Sequence, residues 1–265
     1  MEQFDKMKIY HYTVRTLSPV ILSPRSSMAF YKGIDYDEND VGYNMIYPFY
    51  QYGEYDLYNP VKAKYYIPGS ALKGAFTPVA AIPNDALSLF VDDIRIESKD
   101  SIEVISLNKS QYFDGPGNTI PKINAFFDGI VGIECLKAGV ELTGEVRYTD
   151  DFNALIQNCS DKAKTRSQND VNRLKKYISD IKQPYDYNTN VDSKAAYHNV
   201  INQIDAIKAN IEGYIKQDNL VLLGGYKGVI RSLNLPNEDT KGAIFATKDN
   251  VPFGFAEIIS IKEVK

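Results

Sequence analysis

The sequence predicts an α+β chain built around a ferredoxin-like sheet. Three observations carry that prediction. A period-2 strand lies near the start, two apolar stripes at helical spacing lie late in the chain, and the element order is strand, helix, strands, helices, glycine-rich loop, strand.

The elements follow in order. Tyr10, Tyr12 and Val14 alternate with His11, Thr13 and Arg15, the pattern of a strand with one buried face. Residues 23–60 are rich in Tyr, Gly, Asp and Asn and show no period, which reads as a long, partly extended insertion. Its rings (Tyr31, Tyr36, Tyr43, Tyr47, Tyr50, Tyr52, Tyr55 and Tyr58) could stack on bases or pack on a neighbouring subunit. The surrounding acid, Asp35, Asp37, Glu38, Asp40, Glu54 and Asp56, repels phosphate and favours packing.

Tyr65-Tyr66-Ile67 is a short apolar strand, and Pro68-Gly69-Ser70 opens a helix that runs to Phe76, with Ser70 as N-cap and Pro78 and Pro83 limiting its length. Asp92–Ile96 and Glu103–Leu107 read as strands. Leu142, Gly144, Val146 and Tyr148 alternate with polar residues and give another half-buried strand. Val171, Leu174, Ile178 and Ile181 mark a helix ending before Pro184. Ser193 then caps a longer helix striped by Val200, Ile204, Ile207, Ile211 and Ile215. Leu220–Leu223 leads into Gly224-Gly225, and Phe253–Ile261 is the last strand.

Composition excludes several classes. The 44% hydrophobic and 24% charged content suits a folded globular chain. No apolar run approaches the ~20 residues that span a bilayer, so no membrane partner is expected. Met1–Lys6 lacks the layout of a signal peptide, and a cytoplasmic location is expected. Cys135 and Cys159 lack metal or disulfide spacing and read as buried thiols in a reducing compartment. The net charge of −4 weighs against a broadly basic nucleic-acid binder, so a local surface must supply any such contact. One basic tract is Lys162, Lys164, Arg166, Arg173, Lys175, Lys176 and Lys182, which is either a solvated helix face or an RNA contact. The other is Lys227 with Arg231.

Two segments have the chemistry of an anion site. At the strand-to-helix turn, free N–H groups and the helix dipole favour a phosphate, Gly69 and Gly74 lack a Cβ, and Lys73 adds charge. A plain capped helix start explains part of the same pattern. In Gly224-Gly225-Tyr226-Lys227-Gly228, three glycines can turn the backbone to present N–H groups, with Lys227, Arg231 and the Tyr226 ring beside them. The spacing fits neither a Walker A loop nor a dinucleotide fingerprint. His11 and His198 stand in no recognisable catalytic motif.

Ile67-Pro68-Gly69-Ser70-Ala71-Leu72-Lys73-Gly74 resembles the I-P-G-S-S-L-K-G signature of the RAMP superfamily of CRISPR proteins. Other segments agree in order. Leu17-Ser18-Pro19-Val20-Ile21 is similar to the family's opening strand end, and Val91–Ile96 and Ile133–Leu142 resemble stretches of the Csm cap subunit. Leu223–Gly228 resembles the glycine-rich loop, and Val251–Phe255 the closing strand. Within the superfamily the chain is most similar to the fifth, cap subunit of the Csm series.

The resemblance implies a single RAMP unit over residues 1–265, with an RRM-like, ferredoxin-like fold, a Tyr-rich insertion at about 23–60 and a helical segment at about 151–218. It implies a non-catalytic crRNA-binding subunit of a type III-A effector complex, near the crRNA 3′ end, needing no cofactor or metal. The partners it implies are the crRNA, an adjacent backbone-type RAMP subunit, other Csm subunits and a crRNA-trimming nuclease. Gly69, Ser70, Lys73 and Gly74 would form one RNA clamp, and Gly224, Gly225, Tyr226, Lys227, Gly228 and Arg231 the second. The resemblance also leaves two alternatives: a backbone-type subunit that cuts target RNA with Asp35 or Asp37, and a protein-only adaptor. His11 is a minor catalytic candidate on the pattern of the family's guide-processing nucleases.

Overall fold

The computed structural model describes residues 7–24, 28–37, 42–77, 89–106, 108–111, 122–125, 130–187, 191–225 and 243–264. In chain order the strands begin with β1 (Lys8–Thr16), β2 (Phe30–Tyr31), β3 (Met45–Tyr47) and β4 (Tyr66–Ile67), which leads into helix α1 (Gly69–Phe76). Then come β5 (Leu89–Val91), β6 (Ile94–Arg95), β7 (Ile102–Ile105), β8 (Asn108–Gln111), β9 (Lys122–Ala125), β10 (Val131–Leu136) and β11 (Glu141–Tyr148). Helices α2 (Phe152–Tyr187) and α3 (Val191–Tyr214) follow, and β12 (Leu220–Leu222), β13 (Ala243–Ala246) and β14 (Phe255–Val264) close the chain.

The main sheet has the order β12-β14-β1-β11-β5, and each of its pairs is antiparallel. Taking β1, α1, β5, β11, α2 and β14 in turn gives the β-α-β-β-α-β path of a ferredoxin-like unit. The alternation in β1 dictates its packing. Tyr10, Tyr12 and Val14 are buried against α1 and the start of α2, in one core with Leu72, Phe76, Phe152 and Ile156. Tyr12 meets Phe76 edge-on at 5.3 Å. The other face carries no aromatic platform from β1. Thr13 meets Ser260 at 3.0 Å there, and Arg15 pairs with Glu257 and Glu141.

The helical segment has its own core. Val171 and Leu174 of α2 meet Val200, Ile204, Ile207 and Ile211 of α3, above Leu220 and Phe255. Each such aliphatic side chain contributes roughly 1.5–3 kcal/mol when fully buried. The Ser160 hydroxyl donates to the Asp218 carbonyl at 2.6 Å and accepts the Leu220 N–H at 2.9 Å, fastening α2 to β12.

Several sequence expectations change. Helix α2 starts at Phe152 and runs through Pro184 to Tyr187, so the proline does not stop it. Asp92–Ile96 is not one strand: the chain leaves β11 at Asp92, whose N–H still reaches the Glu145 carbonyl, and re-pairs with β4 from Ile94. The tyrosine-rich stretch has internal packing of its own. Phe30, Tyr36 and Ile46 form a small core with Tyr43, Tyr55 and Tyr58, and Tyr47 and Tyr50 pack on adjoining cores.

At the join between this stretch and the sheets lies Glu134 of β10, which is 1% exposed. Its carboxylate accepts the Tyr65 hydroxyl at 2.6 Å and the Phe49 N–H at 2.8 Å. Burial nonetheless holds its pKa above the ordinary value, against those hydrogen bonds and one from Tyr58. Both cysteines are buried, as expected. No helix among the described residues is long and apolar enough to cross a membrane.

Candidate nucleic-acid interface

The predicted strand-to-helix turn is present, but its first N–H groups are largely taken. Pro68, not Ser70, is the N-cap, and no side chain caps from that position. The Gly69 N–H instead donates to Asp93 Oδ1 at 2.7 Å, and the Ala71 N–H returns to the Pro68 carbonyl at 2.9 Å. The protein's own carboxylate thus occupies the position expected for a phosphate at Gly69. Asp93 lies 24 residues downstream, in the break between β5 and β6, so no local pattern exposes it.

The two glycines of this turn play different parts. A Cβ on Gly69 would stand 2.0 Å from the Val91 carbonyl oxygen, so that glycine lets α1 seat on β5. Gly74 is exposed, and a Cβ there would meet nothing within 4 Å among the described residues. Ser70 is also exposed, and its N–H has no hydrogen-bond partner among the described residues. Lys73 is half-buried and its ammonium lies 5.8 Å from the Phe90 ring centroid. Thr77 ends the helix by returning its N–H and hydroxyl to the Lys73 carbonyl.

The second expected clamp is described only at its start. Gly224 has φ of +86°, and a Cβ there would lie 2.5 Å from the Ile21 carbonyl oxygen. The Gly225 N–H donates to that same oxygen at 2.8 Å, so it is committed to the fold. Tyr226, Lys227, Gly228 and Arg231 lie outside the described residues. Leu223 and Val221 share the main core with Leu72 and Phe76, so the loop begins on the same core as α1.

The remaining predicted residues fall elsewhere. Asp35 Oδ2 accepts the Tyr31 N–H at 2.7 Å and closes a turn, while Asp37 is exposed. His11 Nε2 lies 3.5 Å from Glu145 on the sheet's open face, and His198 faces Asn202 on α3. In the α2 basic tract, Arg173 pairs with Asp170 and Lys175 with Glu212 of α3.

No protein-family model matches the chain, and no curated protein matches it. Among solved structures, a chain from the cryo-EM structure of a type III-A CRISPR-Cas Csm–crRNA–target RNA ternary complex superimposes with a TM-score of 0.42. Its sequence identity is 10%, over 94% of this chain and 100% of that one. A chain of the type III-B Cmr-beta complex bound to cognate target RNA gives a TM-score of 0.27 at 13% identity, over 56% of this chain and 49% of that one. Likeness this loose carries no functional weight, which leaves the residues themselves.

Proposed function

We propose that this chain is a non-catalytic crRNA-binding subunit of a type III-A CRISPR (Csm) effector complex, capping its backbone filament near the crRNA 3′ end. The observation that carries the reading is the exposed edge of α1. The I-P-G-S-A-L-K-G segment forms a strand-to-helix turn there, and Gly74 stands on the surface where packing gives no reason for a glycine. A helix glycine costs about 0.5–1 kcal/mol relative to alanine, and close approach of a ligand backbone supplies the missing reason. Ser70 and Lys73 offer a donor and a charge on that helix. Lys227 and Arg231 supply the second arm of the clamp, and the neighbouring subunits are the protein partners.

The test is RNA affinity against salt. Lys73→Ala with Lys227→Ala is expected to weaken crRNA binding and to reduce the slope of log K on log salt by about 1.4, at roughly 0.7 per lost contact on a single strand. Unchanged affinity with an unchanged slope contradicts the clamp. For the absence of catalysis, an assembled complex carrying Asp35→Ala and Asp37→Ala is expected to cut labelled target RNA as wild type does; loss of periodic cleavage would make the chain a nuclease.

A further inference from the structure

A groove of about 470 Å³ opens beside the α1 turn, lined by Tyr52, Lys62, Lys64, Arg95, Glu97 and Lys99. Four cations face one carboxylate in a chain whose net charge is −4. All four cations are exposed, and none is in an ion pair among the described residues. We infer that this groove is a docking site for single-stranded RNA, in which a base stacks on Tyr52 and the lysines track the backbone.

The aromatic part is built rather than incidental. Tyr52 is 40% exposed and stacks on Tyr66 with ring centroids 4.0 Å apart and planes 13° apart. Tyr66 and Arg95 are direct cross-strand partners of β4 and β6, and the Arg95 guanidinium lies 5.8 Å from the Tyr52 centroid. The Tyr66 ring therefore covers one face of Tyr52, with Arg95 nearby. The Tyr52 hydroxyl donates to Asp93 Oδ2 at 3.1 Å, and its N–H donates to the Lys64 carbonyl at 3.0 Å. A ring fixed by a stack, a hydroxyl bond and a backbone bond loses little freedom when a base joins it.

The charged part is fixed as well. The Asn59 side chain accepts the Lys62 N–H at 3.1 Å and its carbonyl accepts the Ala63 N–H at 2.9 Å, shaping the turn that presents Lys62 and Lys64. Aromatic stacking within a cationic groove is the physical recipe for a single strand, whose base faces are uncovered. Asp93 holds Tyr52 through one oxygen and the first N–H of α1 through the other, so the groove adjoins the helix start. This inference rests on the RNA-binding reading and extends it to a surface outside the two glycine segments.

The chain contains no tryptophan, so Tyr52→Trp creates a single reporter. Binding of a single-stranded RNA oligonucleotide to the full chain is followed by anisotropy of the labelled RNA and by tryptophan fluorescence. The expected result is quenching that saturates with the anisotropy Kd, and none with a fully paired duplex. Lys62→Ala, Lys64→Ala and Lys99→Ala together should lower the salt slope by about 2. Tyr52→Ala should weaken binding about tenfold, and Tyr52→Phe should restore most of it.

If RNA binds and responds to Lys73→Ala with Lys227→Ala, but shows no quenching and ignores the lysine substitutions, the groove is overturned and the function stands. If the wild-type chain binds no RNA, both fall.

Discussion

Gly69 and Gly74 stand in one short helix, yet a methyl group added at each meets opposite surroundings. Gly69→Ala forces a Cβ to within 2.0 Å of the Val91 oxygen and should destabilise by about 1–3 kcal/mol in urea unfolding. Gly74→Ala enters open space and should stabilise by about 0.5–1 kcal/mol. If RNA approaches that position, the same substitution weakens RNA binding while it raises stability. The sequence pattern marked both glycines alike, because a Cβ clash with a strand distant in sequence leaves no local trace. Asp93 escaped for the same reason, whereas Tyr52 stood among the rings read as able to stack on bases, a role the surrounding acid argued against. The partners that fix both residues come from separate segments.

Glu134 yields a pH prediction at the same scale. Its folded pKa is raised above the ordinary 4.5, mainly by burial, so the folded state holds the proton more tightly than the unfolded chain. Its contribution to stability is therefore full below the unfolded value and is lost as pH rises through the folded one. Urea melts across that window should show stability falling with rising pH in the wild type. The fall should disappear in Glu134→Gln. Persistence of the same slope in the variant would contradict the assignment.

Among the elements, the period-2 strands and the stripe of α3 were legible because each buries one regular face: Val200, Ile204, Ile207 and Ile211 are all buried. The periodicity reading began only at Val171, and the helical segment from about 151 came from the resemblance; Phe152, Ile156, Cys159 and Ala163 recur at helical spacing, but polar residues dominate between them. The first half of α2 matters to the site. Cys159 lies on it, and its thiol donates to the Phe76 carbonyl at 2.9 Å, closing the last turn of α1. Burial pushes the Cys159 thiol up to about 11 and raises Cys135 as well. At pH 8 only about one in a thousand Cys159 side chains is then thiolate. A thiol reagent such as DTNB should leave both cysteines unmodified in the folded chain and titrate both in denaturant. Rapid reaction of Cys159 under native conditions would show that α2 does not hold α1 in this way.

For the whole molecule, the net charge of −4 and the proposed role in RNA binding are reconciled by segregation. Acid and base on the sheet's open face neutralise each other in pairs such as Arg15–Glu257 and Arg147–Glu145. Four cations without an ion pair among the described residues, Lys62, Lys64, Arg95 and Lys99, line the groove beside α1. Composition reports only the sum, and the two basic surfaces read from the sequence, the α2 tract and Lys227 with Arg231, do not include this groove.

The most direct measurement is photo-crosslinking from thio-uridine-substituted crRNA in the assembled complex, with the crosslinked peptides mapped by mass spectrometry. The account predicts crosslinks to this chain within residues 50–76 and 89–99, which carry α1, Tyr52 and the groove lysines. A chain that assembles but yields no crosslink, or yields them on α2 alone, would contradict it.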